Sequence, residues 1–223
     1  MNDPGGLEKL LALGVRNTPV VAKGKNFVFG QNLEDVAEFV GLQGTGHKPL
    51  PPDQLIGKWT NVLRAVQRYL RQMPSARMQE RVVENRDRSI RILSHHVFRI
   101  GEAFLESAID GVEYSIAHAN IPPKDGTFLT GAEIAGYGEE VIRRLQRWWD
   151  GEKDKTLSYQ VKTYYGVQPM HVVFERSTWH SAQHARQLIH VLERFGIEPD
   201  GRLTPQELAG LPLPERLDRK SVV

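Results

Sequence analysis

The chain has 223 residues, of which 40% are hydrophobic and 25% charged, and a net charge of +2. These values suit one domain with an appendage or two small domains, and the absence of cysteine excludes disulfides, thiolate metal ligands and cysteine-based redox chemistry. No apolar run reaches the length of a membrane span and no signal peptide is evident, so we expect a cytoplasmic protein without a membrane partner.

Residues 1–42 have the pattern of a small unit with the order helix, strand, strand, helix. A first helix is predicted to end at Gly14, and two short strands follow on either side of a Lys-Gly-Lys turn at residues 23–25. Asn32 is placed to cap the second helix. Residues 43–51 are rich in Gly and Pro and are predicted to be a linker.

Residues 52–196 are predicted to form four amphipathic helices of about 20 residues each. Apolar residues recur every three or four positions from Leu55 to Met73, which predicts a first helix that ends before Pro74. The other three helices are predicted at about 88–109, 134–151 and 171–195.

The fold class is therefore mainly α, with an antiparallel four-helix bundle. Residues 110–129 are predicted to be a long loop, residues 157–169 to be extended, and the proline-containing tail at 197–223 to lack a further long helix. The apolar stripes of the four helices are expected to be buried through Trp59, Val62, Leu93, Ile100, Val141, Leu145, Leu188 and Val191.

One basic stretch could suggest a nucleic-acid partner. Between Arg64 and Arg91 the chain has eight arginines and three acidic residues. Such a run can attract nucleic acid, but no nucleic-acid-binding motif accompanies it. We interpret the stretch as a solvated helix face and connection, and we expect no nucleic-acid partner.

The fourth predicted helix has two histidines, His180 and His184, on its apolar stripe. Imidazoles four residues apart on a helix can share one metal ion. Zinc proteases with this spacing have a general-base Glu directly after the first His, whereas this chain has Ser181 there. The pair therefore predicts a metal site of another kind, or a pair of core histidines without metal.

A third ligand would have to come from another helix, and the second helix has two adjacent candidates. On a helical wheel His96 lies with apolar residues, whereas His95 lies on the polar face and is expected to be exposed, as is His190 on the fourth helix. The geometry favours His96, although His95 remains an alternative. Three histidines leave a coordination position for water or substrate, and imidazole suits zinc, nickel or iron.

A histidine on the second helix and the sequence HSAQHARQ on the fourth, residues 180–187, together resemble the DinB/YfiT-like superfamily of metal-binding four-helix bundles. The resemblance covers about residues 52–196. It implies a divalent metal held by His96, His180 and His184, with Arg186 and Gln187 near ligand or substrate. Several members are thiol transferases or thiol-dependent isomerases, which implies a metal-activated small thiol such as glutathione and an electrophile as partners.

The segment at about residues 5–42 resembles the C-terminal half of a glutaredoxin. Thr18-Pro19 matches the cis-proline position, and Gly30 with QNLEDV matches the turn and helix start that hold the γ-glutamyl end of glutathione. The Cys-x-x-Cys motif and the first strand and helix of a glutaredoxin are missing. The resemblance implies a partial thioredoxin-like appendage of order α-β-β-α, with Thr18 and Pro19 in a substrate-binding role.

Two interpretations of this segment stay open: a fragment of a domain that begins upstream, or an accessory that packs on the bundle or on a second chain. Two short strands with free edges are unstable alone, so we expect a homodimer or coverage by the bundle.

For the whole chain, three hypotheses remain. It is a metal-dependent enzyme such as a glutathione S-transferase-like protein, a non-catalytic metal-containing bundle that serves binding or dimerisation, or a bundle whose three core histidines hold no metal.

Overall fold

A computed structural model describes residues 4–15, 19–30, 33–43, 47–82 and 87–213. Its contacts divide the chain into two compact units, Met1–Lys48 and Pro49–Val223. The secondary structure is mainly helical, with two separate two-stranded sheets. In the described part of the chain, no helix is long and apolar enough to cross a membrane.

The first unit has the predicted order of helix, strand, strand, helix. Its strands form an antiparallel hairpin in which Val20 lies opposite Phe29, and Gly24 in the turn has the positive φ of +64° that favours glycine. The likeness of this unit to half of a glutaredoxin stays a prediction. Its elements are α1 Pro4–Ala12, β1 Val20–Lys23, β2 Asn26–Phe29 and α2 Leu33–Val40.

Four long helices form the second unit, as predicted. Three of them begin at a residue that explains the boundary: Pro52 occupies the first turn of one, Ser89 caps another, and Thr130 with Glu133 forms a capping box at a third. The helices are α3 Pro52–Gln72, α4 Ile90–Asp110, α6 Gly131–Gly151 and α7 Met170–Arg194.

Shorter elements lie in the connections between these helices. The segment predicted to be a loop between α4 and α6 has a one-turn helix, α5 Ile116–Ala119, which the sequence reasoning missed. The segment predicted to be extended is a hairpin of β3 Gln160–Thr163 and β4 Gly166–Pro169. In the described part of the tail, residues 197–213, the one helix is the short α8 Pro205–Leu208.

Helices α3 and α4 each pack mainly against α6 and α7, and they contact each other little. Of the long helices that follow one another in the chain, only α4 and α6 pack closely together, whereas α3 with α4 and α6 with α7 contact each other little. The stripe residues expected to be buried are all at most 1% exposed, which confirms the prediction of the helix faces.

An aromatic cluster takes one ring from each long helix. Phe104 of α4 is at its centre, with ring-centroid distances of 5.3 Å to Trp59, 4.9 Å to Trp148 and 5.2 Å to Phe174. Aromatic pairs at such distances add about 0.5–1.5 kcal/mol beyond the burial of their area. This cluster fixes α4 and α7 relative to each other, and these two helices position the histidines described next.

Candidate metal centre

Three histidines predicted as ligands are brought together between α4 and α7. His96 lies on α4, and His180 and His184 lie one turn apart on α7. Their ring centroids are 4.7–5.4 Å apart, and one ligand nitrogen from each lies within 4.8 Å of the other two. The arrangement is one that could hold a metal ion.

His96 is oriented by the backbone of the short helix α5. Its Nδ1 lies 2.8 Å from the carbonyl oxygen of Ala119, and because a carbonyl can only accept, Nδ1 donates. In the neutral ring Nε2 is then unprotonated and available as a ligand. A metal-binding histidine usually donates its second ring nitrogen in this way, which fixes the tautomer and the ring orientation.

His184 is oriented by a side chain of its own helix. Its Nδ1 donates to Oε1 of Gln187 at 2.7 Å, and its Nε2 lies 3.0 Å from Nε2 of His180. Gln187 is buried, so its amide is held in place beside the ring. Gln187 thus contacts a candidate metal ligand, and its predicted contact with substrate stays a prediction.

The donor set fits a divalent metal ion. Two imidazole nitrogens at a Zn–N distance of about 2.0–2.1 Å and a tetrahedral angle are about 3.3 Å apart. The observed 3.0 Å between the Nε2 atoms of His180 and His184 is close to this value. Without a cation this contact requires a proton on Nε2 of His180, and metal binding would move that proton to Nδ1. That Nδ1 is buried and has no hydrogen-bond partner among the described residues.

Burial keeps His96 and His180 in the neutral form that binds metals. The pKa of His96 is well below its usual value because of burial, then the nearby His184 and Arg88. The pKa of His180 is also well below its usual value. Burial is the largest cause, followed by the electrostatic effects of His184 and of Arg176. Neutral rings need not lose a proton at pH 7 before they bind a cation.

Ser181 has a structural role that explains why it replaces glutamate. Its Oγ accepts a hydrogen bond of 2.9 Å from the indole Nε1 of Trp59, which is fully buried. A glutamate side chain would not fit this short contact between α3 and α7. The position after the first histidine therefore serves the core and does not point a carboxylate at the site.

His95 is buried, which corrects the prediction that it is exposed. It is 7% exposed and stacks on Tyr137 at 5.1 Å with Phe128 at 5.4 Å. The polar face of α4 is covered by α6 and by the connection that precedes it, where Arg91 donates to the carbonyls of Lys124 and Thr127. Burial lowers the pKa of His95 to about 4. His95 does not belong to the cluster that could hold a metal; the histidine that α4 contributes to that cluster is His96.

The remaining predicted residues lie elsewhere or cannot be placed. Arg186 donates a hydrogen bond to Gln183, and it lines a cavity of about 500 Å³ beside the tail. His190 lines the same cavity. It was expected to be exposed, but it is half-buried because the tail covers it in part. Pro19 is exposed, and its carbonyl accepts from the amide of Gly30 at 2.9 Å. Thr18, and with it the peptide bond predicted to be cis, lies outside the described residues, as does Asn32.

The fold is similar to that of YfiT from Bacillus subtilis, described as a probable metal-dependent hydrolase with an unusual four-helix bundle topology. The TM-score is 0.50 at 14% sequence identity, and the match covers 66% of this chain and 89% of that one. No protein-family model and no curated protein matches the sequence. The likeness thus establishes the four-helix bundle fold.

Proposed function

We propose that this chain is a metal-dependent enzyme in which His96, His180 and His184 hold one divalent ion that activates a small thiol for attack on an electrophile. The observation that carries the proposal is the convergence of three imidazoles whose ligand nitrogens lie within 4.8 Å of one another. The description of YfiT as a probable metal-dependent hydrolase, on a similar fold, supports a metal at this position.

The residues around the candidate metal site have separate roles in this proposal. Ala119 and Gln187 orient two of the rings. Burial lowers the pKa of His96 and of His180, which keeps these two imidazoles neutral. A divalent ion bound here would lower the pKa of a thiol or water beside it. Because three ligands come from the protein, a position is left for that nucleophile. Glutathione is the thiol implied by the glutaredoxin-like segment, and the electrophile is left open.

Hydrolysis is the second candidate, and the description of YfiT favours it. The same ion would then activate water in place of a thiol. The two candidates differ in one requirement, since turnover of an electrophile by a transferase depends on added thiol and hydrolysis does not. A non-catalytic metal-containing bundle, for binding or dimerisation, would retain the metal and show neither activity.

The metal content of the full chain tests the proposal. Protein purified without chelator or histidine tag is expected to hold about one divalent ion per chain by mass spectrometry. His184→Ala should lose the ion, since two histidines rarely hold a divalent metal tightly. It should also lose the metal-dependent stabilisation, about 2.7 kcal/mol at a hundredfold excess of free metal over Kd.

His95→Ala is the matched control, because it removes the neighbouring buried imidazole that is outside the cluster. It should keep the metal, whatever its effect on stability. Equal metal content in wild type and His184→Ala would contradict the metal site and the enzyme proposal with it. If the metal is present, assays of an electrophile with and without glutathione, and of an activated ester without thiol, separate the two reactions.

A further inference from the structure

Arg176 lies on the same side of α7 as the two histidines, one turn before His180. Residues four apart on a helix are neighbours on its surface, so the side chain of Arg176 starts from the turn next to that of His180. Neither composition nor the histidine motif singles out this arginine, although its spacing of four residues from His180 is visible in the sequence.

The guanidinium of Arg176 is enclosed by aromatic side chains and has no acidic partner in the described residues. Its carbon lies 5.6–5.8 Å from the ring centroids of Tyr164, Tyr165 and Trp179. One terminal nitrogen donates to the hydroxyl of Tyr164 at 2.8 Å, and the phenol of Tyr114 is also a hydrogen-bond partner. Its Nε is buried and has no acceptor among the residues that the structure describes. A buried charge is normally paired with an opposite charge.

Tyr165 supplies a second donor without an acceptor in the same cluster. Its hydroxyl is buried and has no hydrogen-bond partner in the described part of the chain, although its ring packs against the Arg176 guanidinium. Burial raises the pKa of the Tyr165 phenol, so the group keeps its proton and remains a donor. A buried donor without a partner destabilises the fold, and here two such donors belong to residues that contact each other.

We propose that Arg176 and Tyr165 form a subsite for a carboxylate group, with Arg176 one helical turn before His180 on α7. The two oxygens of a carboxylate can accept from Nε of Arg176 and from the hydroxyl of Tyr165, which satisfies both donors at once. The guanidinium carries one positive charge and balances a monoanion, so a carboxylate fits better than a phosphate dianion.

This inference rests on the proposed function, because it assigns a carboxylate to the substrate that meets the metal. The carboxylate would be bound by α7 at Arg176 while the reacting part of the same molecule lies one turn further along, at His180 and His184. Arg176 is then a specificity-determining residue: it selects substrates that have an acidic group at that distance.

The test measures the binding of acetate to the full chain, by calorimetry and by the shift in Tm. Chloride and phosphate, at equal ionic strength, are the comparison anions. Acetate is expected to raise Tm in a saturable way and more than phosphate does. Arg176→Met and Tyr165→Phe should each weaken acetate binding about tenfold or more, the loss of one charge-assisted hydrogen bond.

Arg147→Met and Tyr159→Phe are the matched controls. Arg147 pairs with Glu140 at the surface, and Tyr159 has a long hydrogen bond of 3.4 Å to Glu152. Both variants should bind acetate as the wild type does. Without acetate, Tyr165→Phe should be at least as stable as the wild type, since it removes a donor that has no partner; a purely structural hydroxyl would instead give a loss of Tm.

Acetate binding that is absent, or unchanged in Arg176→Met and Tyr165→Phe, would overturn the inference. Metal content separates this failure from failure of the proposed function. Wild type that binds zinc but not acetate refutes the subsite alone. Wild type that binds acetate but no zinc refutes the metal site alone, and the metal-free His184→Ala variant should still bind acetate.

Discussion

Gln187 is the residue whose effect on the metal centre can be measured most directly. It accepts from Nδ1 of His184, so it holds the ring and leaves Nε2 free to bind. Partners of this kind typically change metal affinity 10–100-fold when they are removed. We expect Gln187→Leu to weaken metal binding by about that factor in a competition titration against a chelator of known affinity.

Gln187→Glu is the control, because it keeps an oxygen acceptor of the same reach. Its affinity should be equal to or higher than that of the wild type, since a carboxylate increases the basicity of the ring. Equal losses in Gln187→Leu and Gln187→Glu would mean that packing, and not the hydrogen bond, controls the ligand.

Some residues of the candidate site could be predicted from the sequence and others could not, for physical reasons. His180 and His184 follow from their spacing, and His96 follows from its place on an apolar stripe. The hydrogen-bond partner of His96 is the backbone carbonyl of Ala119. The sequence could not predict this contact, because a backbone atom in a one-turn helix has no characteristic side-chain pattern. His95 was mispredicted because a helical wheel gives the direction of a side chain but not what covers it.

At the scale of elements, α4 shows why amphipathic patterns describe only part of a bundle. Residues on all sides of this helix are buried, including Arg91 and Arg99, because α6, α7 and the connection through α5 surround it. The four long helices were predictable from the periodicity of their apolar residues. Which helices pack against each other was not predictable, since apolar stripes of similar width do not show which helices are neighbours.

The close approach of α4 and α6 depends on glycine. A Cβ at Gly138 would lie 2.4 Å from the buried ring of Phe98, closer than any real contact. Gly138→Ala is therefore expected to destabilise the protein by about 1–3 kcal/mol, the range for overpacking. This loss outweighs the gain in helix propensity of up to about 1 kcal/mol.

Gly136 on the same helix provides the matched control. It is exposed, and a Cβ there meets nothing within 4 Å. Gly136→Ala should raise the free energy of unfolding by up to about 1 kcal/mol. Urea unfolding followed by circular dichroism compares the two variants, and a stabilised Gly138→Ala would contradict the tight helix contact.

At the scale of the whole molecule, a group of charged residues joins α4 and α6 near their exposed edge. Glu102 is its centre: the hydroxyl of Tyr137 donates to it at 2.6 Å, Arg99 at 3.0 Å and Arg144 at 3.2 Å. Arg99 also forms two hydrogen bonds of 2.7 Å with Glu106. These contacts connect the second and third long helices without the aromatic core.

This network should make the stability of the bundle depend on pH in the acid range. Burial favours the neutral form of Glu102, but the hydrogen bonds from Tyr137 and Arg99 outweigh burial and hold the pKa of Glu102 below its usual value. A carboxylate with a depressed pKa in the folded state stabilises the protein above its unfolded-state pKa of about 4.3. That contribution is lost as the pH falls through the folded pKa.

The measurement compares the free energy of unfolding of the wild type with that of Glu102→Gln from pH 7 down to pH 3. The difference should be full at pH 7 and should shrink below about pH 4.3. Glu113→Gln, at an exposed position after α4, is the control and should show little difference at any pH. A difference for Glu102→Gln that stays constant from pH 7 to pH 3 would mean that its charge does not stabilise the bundle. The change would then act through shape and hydrogen bonding alone.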